Sequence, residues 1–234
     1  MKALCLLSGG MDSTTMIYKL LDMGYEVEAV SFDYGQKHKV ELESAKAIAD
    51  RLRIHHKIIK IDLGQFKGSS LIDPNIRIPE QEEKRQIDTV VPFRNTIFVL
   101  FAAAFASTKK ISELFISPVL EDYQTYRDCR REFFDSLEKT LQLGAKDDTV
   151  FKIHTPYIDK TKAEVIKEGL SLGVPYELTH SCYMGIRPAC GKCDACKERI
   201  AAFKEIHIVD PLKYQIEINW NGCKPLLKKS ELKT

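Results

Sequence analysis

The sequence predicts an α/β protein built on a doubly wound parallel sheet, with a four-cysteine zinc knuckle towards the carboxyl end. Three observations lead there. Short apolar runs alternate along the chain with segments whose apolar residues recur at helical spacing. A Ser-Gly-Gly turn joins the first such run to the first such segment, and four cysteines crowd into residues 182–196. In order, Ala3–Leu7 reads as a short buried strand and Asp12–Met23 as a helix with Met16, Leu20 and Met23 recurring at helical spacing, closed by Gly24. Val27–Phe32 reads as the next strand, Val40–Leu52 as a helix carrying Ala45, Ile48, Ala49 and Leu52 on one face, and Lys57–Ile61 as a third strand. Thr96–Ser107 is an almost wholly apolar helix, Glu113–Ile116 a fourth strand, Arg131–Leu143 an amphipathic helix, Phe151–His154 a fifth strand, and Lys162–Leu172 a helix closed by Gly173. Strands alternating with helices imply a parallel sheet covered on both faces.

Between Gly64 and Pro92 lies a long polar stretch with the charged run Glu80–Arg85, read as a functional loop that could close over a site. From Pro211 the pattern weakens, and Lys228–Thr234 reads as a frayed tail. The chain divides accordingly into 1–176, a nucleotide-type α/β domain; 177–210, a zinc-binding helical segment; and 211–234, a tail.

The bulk properties narrow the function. The 234 residues are 44% hydrophobic and 29% charged, and 35 basic against 33 acidic side chains leave a formal net charge of +2. Such a balance disfavours a protein that grips nucleic acid by neutralising phosphates and favours a small ligand. No apolar run approaches the roughly 20 residues that a membrane span needs, and the opening run is too short for a signal peptide, so the expected location is cytoplasmic.

In a doubly wound sheet, ligands gather outside the carboxyl ends of the strands. The turn Ser8-Gly9-Gly10 sits there. Its glycines leave backbone N–H groups unobstructed, the following helix directs its positive end outward, and Ser8 and Ser13 add hydroxyls. This is a cradle for an anion, although a plain capped turn has the same composition. Neither the phosphate-binding G-x-x-x-x-G-K-[ST] nor the dinucleotide G-x-G-x-x-G is present. Cys182, Cys190, Cys193 and Cys196 have the spacing C-x₇-C-x₂-C-x₂-C, suited to a closed tetrahedral Zn²⁺ with no open position for chemistry. Lys197-Glu198 follows where a ferredoxin-type cluster has Cys-Pro, which argues against iron–sulfur. Cys5 reads as a buried apolar residue, and Cys129 and Cys223 as either surface or packed.

Ser-Gly-Gly-Met-Asp-Ser resembles the S-G-G-x-D-S pyrophosphate loop of the ATP-pyrophosphatases, whose domain is of the adenine nucleotide alpha hydrolase type. With the cysteine cluster and the blocks "FDYGQKHKVELESAKAIA" at 32–49, "VVPFRNTIFVLFAAAFA" at 90–106, "DYQTYRDCRREF" at 122–133 and "HTPYIDKTKAEVIKEGLSLGVP" at 154–175, the chain resembles the 7-cyano-7-deazaguanine synthase family over about residues 2–211. The resemblance implies ATP, Mg²⁺ and Zn²⁺, a homodimer, and conversion of 7-carboxy-7-deazaguanine with ammonia to a nitrile through an adenylated acid and an adenylated amide. It places Leu7, Ser8, Gly9, Gly10, Met11, Asp12, Ser13, Thr14, Thr15, Met16 and Ile17 along the ATP site, with Asp12 near the pyrophosphate and its Mg²⁺. Asp12, Ser13, Arg94 and Lys162 are the implied catalytic residues. Arg94, Asn95, Asp122, Tyr123, Tyr126, Asp128 and Arg130 are implied to meet the deazaguanine, a tyrosine by stacking and a carboxylate by accepting from the base's N–H edge.

Departures from the family pattern, among them Phe93, Arg127 and the strand end Ile116-Ser117-Pro118-Val119, cluster where the acceptor should bind. They raise a second expectation: adenylation of a deazaguanine acid followed by transfer to another amine, such as a protein terminus, stopping at an amide. A tRNA-thiolating enzyme needs a reactive cysteine and an RNA-binding region that are not evident. A binding module on an inert scaffold completes the alternatives.

Overall fold

A computed structural model describes residues 1–79, 86–146 and 149–226; the run Glu80–Arg85 and the tail Lys228–Thr234 lie outside the described residues. Among the described residues five strands, β1 (Lys2–Leu6), β2 (Glu26–Asp33), β3 (His55–Lys60), β4 (Glu113–Phe115) and β5 (Lys152–His154), form one all-parallel sheet in the order β3-β2-β1-β4-β5. The α-helices are α1 (Met11–Asp22), α2 (Val40–Leu52), α3 (Arg94–Lys109), the single turn α4 (Asp122–Thr125), α5 (Arg131–Gly144), α6 (Lys162–Leu172) and α7 (Asp194–Glu205).

Successive side chains of a strand point to opposite faces, and β1 divides accordingly. Ala3 and Cys5, with Leu7 just beyond, pack with Met16, Ile17 and Leu20 of α1, Ala45 and Ala49 of α2 and Val165 of α6. Leu4 packs on the other face with Val99, Ala102 and Ala106 of α3 and Phe134, Leu137 and Leu141 of α5. Each fully buried Leu or Ile contributes about 1.5–3 kcal/mol through removal from water. The order of the strands reverses between β1 and β4, which opens a crevice at their carboxyl ends.

The differences from the periodicity have local causes. α3 begins at Arg94, two residues before the expected Thr96, because Asp128 Oδ2 accepts the Asn95 N–H at 3.2 Å and so satisfies an amide of the first turn. β3 begins at His55, paired along the edge with Glu28 of β2. In the described part of the stretch after Gly64, Leu71, Ile72 and Val91 join the core, and Ile78 lies against the cysteine cluster. Residues 211–226 are also fastened. Bridges join Ala189 to Tyr214 and Ile208 to Lys224, and a Cβ on Gly191 would lie 2.6 Å from Ile216 Cγ1.

Arg199 of α7 ties this end down. Fully buried, it donates to Asp210 Oδ2 (2.6 Å) and Oδ1 (2.8 Å), to Thr179 Oγ1 (2.7 Å) and to the Tyr176 carbonyl (3.0 Å).

Candidate active site

A cleft of about 270 Å³ opens at the carboxyl ends of β1, β2 and β4. The turn between β1 and α1 forms its floor. Gly9 has φ +87°, and a Cβ there would overlap the Glu41 carbonyl and lie 2.8 Å from Ala45 N, so the turn is pressed against the start of α2. A side chain is excluded on both grounds. Ser8 Oγ and Ser13 Oγ lie 2.9 Å apart, Gly10 N donates to Ser8 Oγ at 3.2 Å, and Ser8 N donates to Ser13 Oγ at 3.2 Å. Among the described residues no side chain caps α1, so its first amides face the cleft as an anion site.

The stretch Leu7–Ile17 divides at this helix. Leu7, Ser8, Gly10, Met11, Asp12 and Ser13 line the cleft, and Gly9 shapes the turn. Thr14 and Thr15 donate their hydroxyls to Gly10 O (2.7 Å) and Met11 O (2.9 Å), and Met16 and Ile17 are core. These four do not line the cleft and are buried within the fold.

Lys162 enters from the start of α6, where Thr161 and Glu164 form a reciprocal cap and Glu121 accepts the Lys162 N–H at 2.9 and 3.1 Å. Its Nζ lies 3.3 Å from Glu198 Oε2 and 3.7 Å from Asp122 Oδ1. Burial opposes the ammonium charge, but Asp122, Asp12, Glu198 and Glu121 outweigh it and hold the pKa above the ordinary lysine value. Asp12 is pushed up to about 6, chiefly by burial, with Lys162 opposing and the neighbouring carboxylates adding. Asp12 Oδ1 is buried and accepts no hydrogen bond from the described residues. The chemistry of that oxygen, beside other carboxylates and an anion cradle, fits a hard divalent cation.

Across the cleft, Arg94 lies 6.0 Å from the Tyr126 ring, and Tyr126 is hydrogen-bonded to Thr89 at 2.9 Å. Asn95 lines the cleft but is held from behind: its Nδ2 donates to Asp128 O at 3.1 Å and Cys129 Sγ at 3.3 Å. Asp128, having capped α3, is outside the wall, as are Tyr123 and Arg130, which stack on each other at 4.7 Å. Phe93 and Arg127, two of the departures, do not line this cleft; Phe93, itself in the left-handed conformation just before α3, is 76% exposed, and Arg127 is exposed. Ser117 and Pro118 do line it. Cys129 is buried, which pushes its thiol up to about 12, poor character for a nucleophile.

Sequence reasoning gave no role to Tyr34, His38 and Glu41, which follow β2 and reach the same cleft, nor to His180, Tyr183 and Glu198. The signal for the first group was the polar stretch Tyr34-Gly35-Gln36-Lys37-His38 at the carboxyl end of a strand, the same location rule that singled out Ser8–Ser13.

The cysteine cluster lies behind the wall that its neighbours His180, Ser181, Tyr183 and Ala195 form. Its four thiols are buried with their sulfurs within 4.8 Å of one another, and Cys190 Sγ lies 3.8 Å from Cys196 Sγ. Tetrahedral Zn–S bonds of about 2.3 Å separate sulfurs by roughly 3.8 Å, so the donor set fits a four-thiolate metal site. The Cys190 N–H donates to Cys182 Sγ, and those of Lys192 and Cys193 to Cys190 Sγ, each at 3.3 Å, the outer contacts that thiolates need. His180 N donates to Gly9 O at 2.9 Å, tying this segment to the glycine turn. Among the described residues, no helix is long and apolar enough to cross a membrane.

Comparison with known proteins agrees in both sequence and fold. A family model described as queuosine biosynthesis protein QueC matches residues 2–207. The 7-cyano-7-deazaguanine synthase of Clostridium kluyveri is 46% identical over 223 residues, 92% of this chain and 99% of that protein. That of Picrophilus torridus is 46% identical, covering 92% of each chain, and that of Nostoc punctiforme 43%, covering 92% of this chain and 100% of its own. The U34-tRNA thiolase NcsA from Methanococcus maripaludis, solved with its 4Fe-4S cluster, shares the fold at 18% identity, with a TM-score of 0.50 over 88% of this chain and 66% of that one.

Proposed function

This chain belongs to the QueC family of queuosine biosynthesis proteins, and from that membership we propose that it converts 7-carboxy-7-deazaguanine, ammonia and ATP into 7-cyano-7-deazaguanine. The route is an adenylated acid and then an adenylated amide, which makes the protein an ATP-dependent ligase forming carbon–nitrogen bonds. The relatives named 7-cyano-7-deazaguanine synthase, aligned over nearly their whole length, support this reading.

One observation of the molecule carries it: the uncapped start of α1, Asp12, Lys162 and Arg94 face a single cleft at the switch point of the sheet. In this reading, the hydroxyls of Ser8 and Ser13 and the first amides of α1 hold the phosphates of ATP. Asp12 would hold Mg²⁺, which disperses the charge of departing pyrophosphate. Lys162 stabilises charge on the α-phosphate as the acid's oxygen attacks it. Arg94, Asn95, Tyr126 and Asp122 orient the deazaguanine acid. Cys182, Cys190, Cys193 and Cys196 would hold Zn²⁺, whose filled coordination sphere leaves it a structural role.

The test supplies the protein with Mg·ATP, 7-carboxy-7-deazaguanine and ammonium, follows pyrophosphate, and identifies products by mass. Acid-dependent pyrophosphate release with nitrile accumulation is expected. An amide or amine conjugate as the sole product replaces the nitrile reading, and no acid-dependent release ends it.

A further inference from the structure

Resting on that reading, we propose that Glu41, in the first turn of α2, is the proton acceptor for the amine that attacks the adenylated acid. Its location comes first. The Glu41 carbonyl is the atom against which Gly9 is pressed, and Glu41 lines the same cleft as the phosphate-loop residues Ser8 and Ser13.

The carboxylate is fixed in place. Gln36 Nε2 donates to Glu41 Oε1 at 3.0 Å, and Gln36 is itself held by Phe32 O (2.9 Å) and Tyr34 N (2.8 Å). The second oxygen, Oε2, lies 3.4 Å from His38 Nε2. Among the described residues no lysine or arginine forms an ion pair with Glu41, in contrast to Asp122 and Glu198 beside Lys162. The side chain is 16% exposed, enough to meet a small amine.

The groups facing it are Arg94 from α3 and, from the segment before α2, Gln36, His38 and Tyr34. Burial raises the carboxyl to about 7 although the Gln36 hydrogen bond and Arg94 pull the other way. Burial also keeps His38 neutral, at about 3. A base poised near neutrality is the one suited to this work.

The chemistry gives such a group a task when ammonium is the form that enters the cleft. Ammonia is supplied in solution chiefly as ammonium, which has no lone pair. Glu41 takes one N–H proton, the freed pair forms the C–N bond, and the C–O bond to the phosphate breaks. AMP leaves with that electron pair, and the attacking nitrogen gives its surplus proton to the departing phosphate, Glu41 already holding the first, to become the neutral amide.

The experiment uses the full chain with its metal content checked, as wild type, Glu41→Gln and Glu41→Asp. Three rates are read: acid-dependent ATP–pyrophosphate exchange, amide plus nitrile formation with ammonium, and hydroxamate formation with hydroxylamine, an amine already neutral at the assay pH. For Glu41→Gln, exchange is expected within a few-fold of wild type, product from ammonium lower by about 100-fold, and hydroxamate nearly retained. Glu41→Asp is expected to recover part of the ammonium rate. Equal losses with both amines, loss of exchange together with amidation, or an unchanged ammonium rate overturns the assignment. Wild type that catalyses no exchange overturns the adenylation reading and this assignment with it.

Discussion

Arg199 and Lys162 are both cations nearly closed off from water, at 0% and 8% exposure, and they are held in opposite ways. Arg199 makes two short bonds to one carboxylate and one each to a hydroxyl and a carbonyl, and its partner Asp210 also accepts from Tyr214 and Leu212. Charge and hydrogen-bonding capacity are matched there. The Lys162 ammonium has several carboxylates around it, its nearest ion-pair oxygen 3.3 Å from Nζ, and Asp12 Oδ1 nearby accepts nothing from the described residues. A saturated pair fixes a shape; an unsaturated cluster with surplus negative charge holds capacity in reserve for a ligand.

The largest effect is expected at the buried pair, where four of the guanidinium's five N–H donors are used. Arg199→Ala strands Asp210 with no cation, and breaking a buried pair from one side costs about 3–5 kcal/mol. Urea unfolding should report it, and replacing Asp210 by Leu in the same chain should recover much of the loss. An Arg199→Ala protein of wild-type stability breaks the contrast at its structural end.

Lys162→Met should act on the chemistry instead. The carboxylates it leaves, Asp122 and Glu198, are 27% and 35% exposed and can be rehydrated, so stability should fall far less than for Arg199→Ala. Acid-dependent pyrophosphate release should drop by about 10²–10³, the loss expected when one charge-stabilising donor is removed. A stability loss as large as that of Arg199→Ala, with the rate retained, reverses the assignment of the two roles.

A third test reads the surplus charge by pH. The folded pKa of Asp12, about 6, lies above its ordinary 3.8. Between those values the folded state binds the proton that the unfolded state has released, so this carboxylate lowers stability as pH rises from about 4 to 6, and its full penalty is present at neutral pH. Without nucleotide or Mg²⁺, Asp12→Asn should therefore raise stability at pH 7.5 by about 2–3 kcal/mol and make little difference near pH 4. The same sign at both ends of the range excludes titration of Asp12 as the cause.

The contrast also marks what the sequence made legible. Alternating strand and helix periodicity was enough to place the five strands and the helices α1, α2, α3, α5 and α6, and the location rule for parallel sheets was enough to single out Ser8–Ser13, whereas Lys162 was legible only through the family resemblance. The strand order was not readable, because periodicity says nothing about which strands are neighbours. Glu198 and Arg199 are adjacent in the chain yet belong to the two opposite environments, one at Lys162 and one at Asp210. Only the rotation of α7 separates them. Motif spelling extends the nucleotide segment to Ile17, while in the structure Thr14–Ile17 are buried and do not line the cleft.

The smallest expected effect probes how firmly Lys162 is placed. Thr161 Oγ1 accepts the Glu164 N–H at 3.2 Å while Glu164 Oε2 accepts the Thr161 N–H at 2.8 Å, so Thr161→Ala removes the side-chain half of the cap on α6. The loss in stability should be about 1 kcal/mol. The Lys162 amide, however, is held independently by both oxygens of Glu121, and its Nζ by Asp122 and Glu198. The start of the helix can loosen while the ammonium stays in the cleft, so pyrophosphate release should stay within about two-fold of wild type at a temperature where both proteins are folded. A tenfold fall there would mean that the cap, and not the carboxylates, positions Lys162, and that its cluster is as much a structural device as the pair at Arg199.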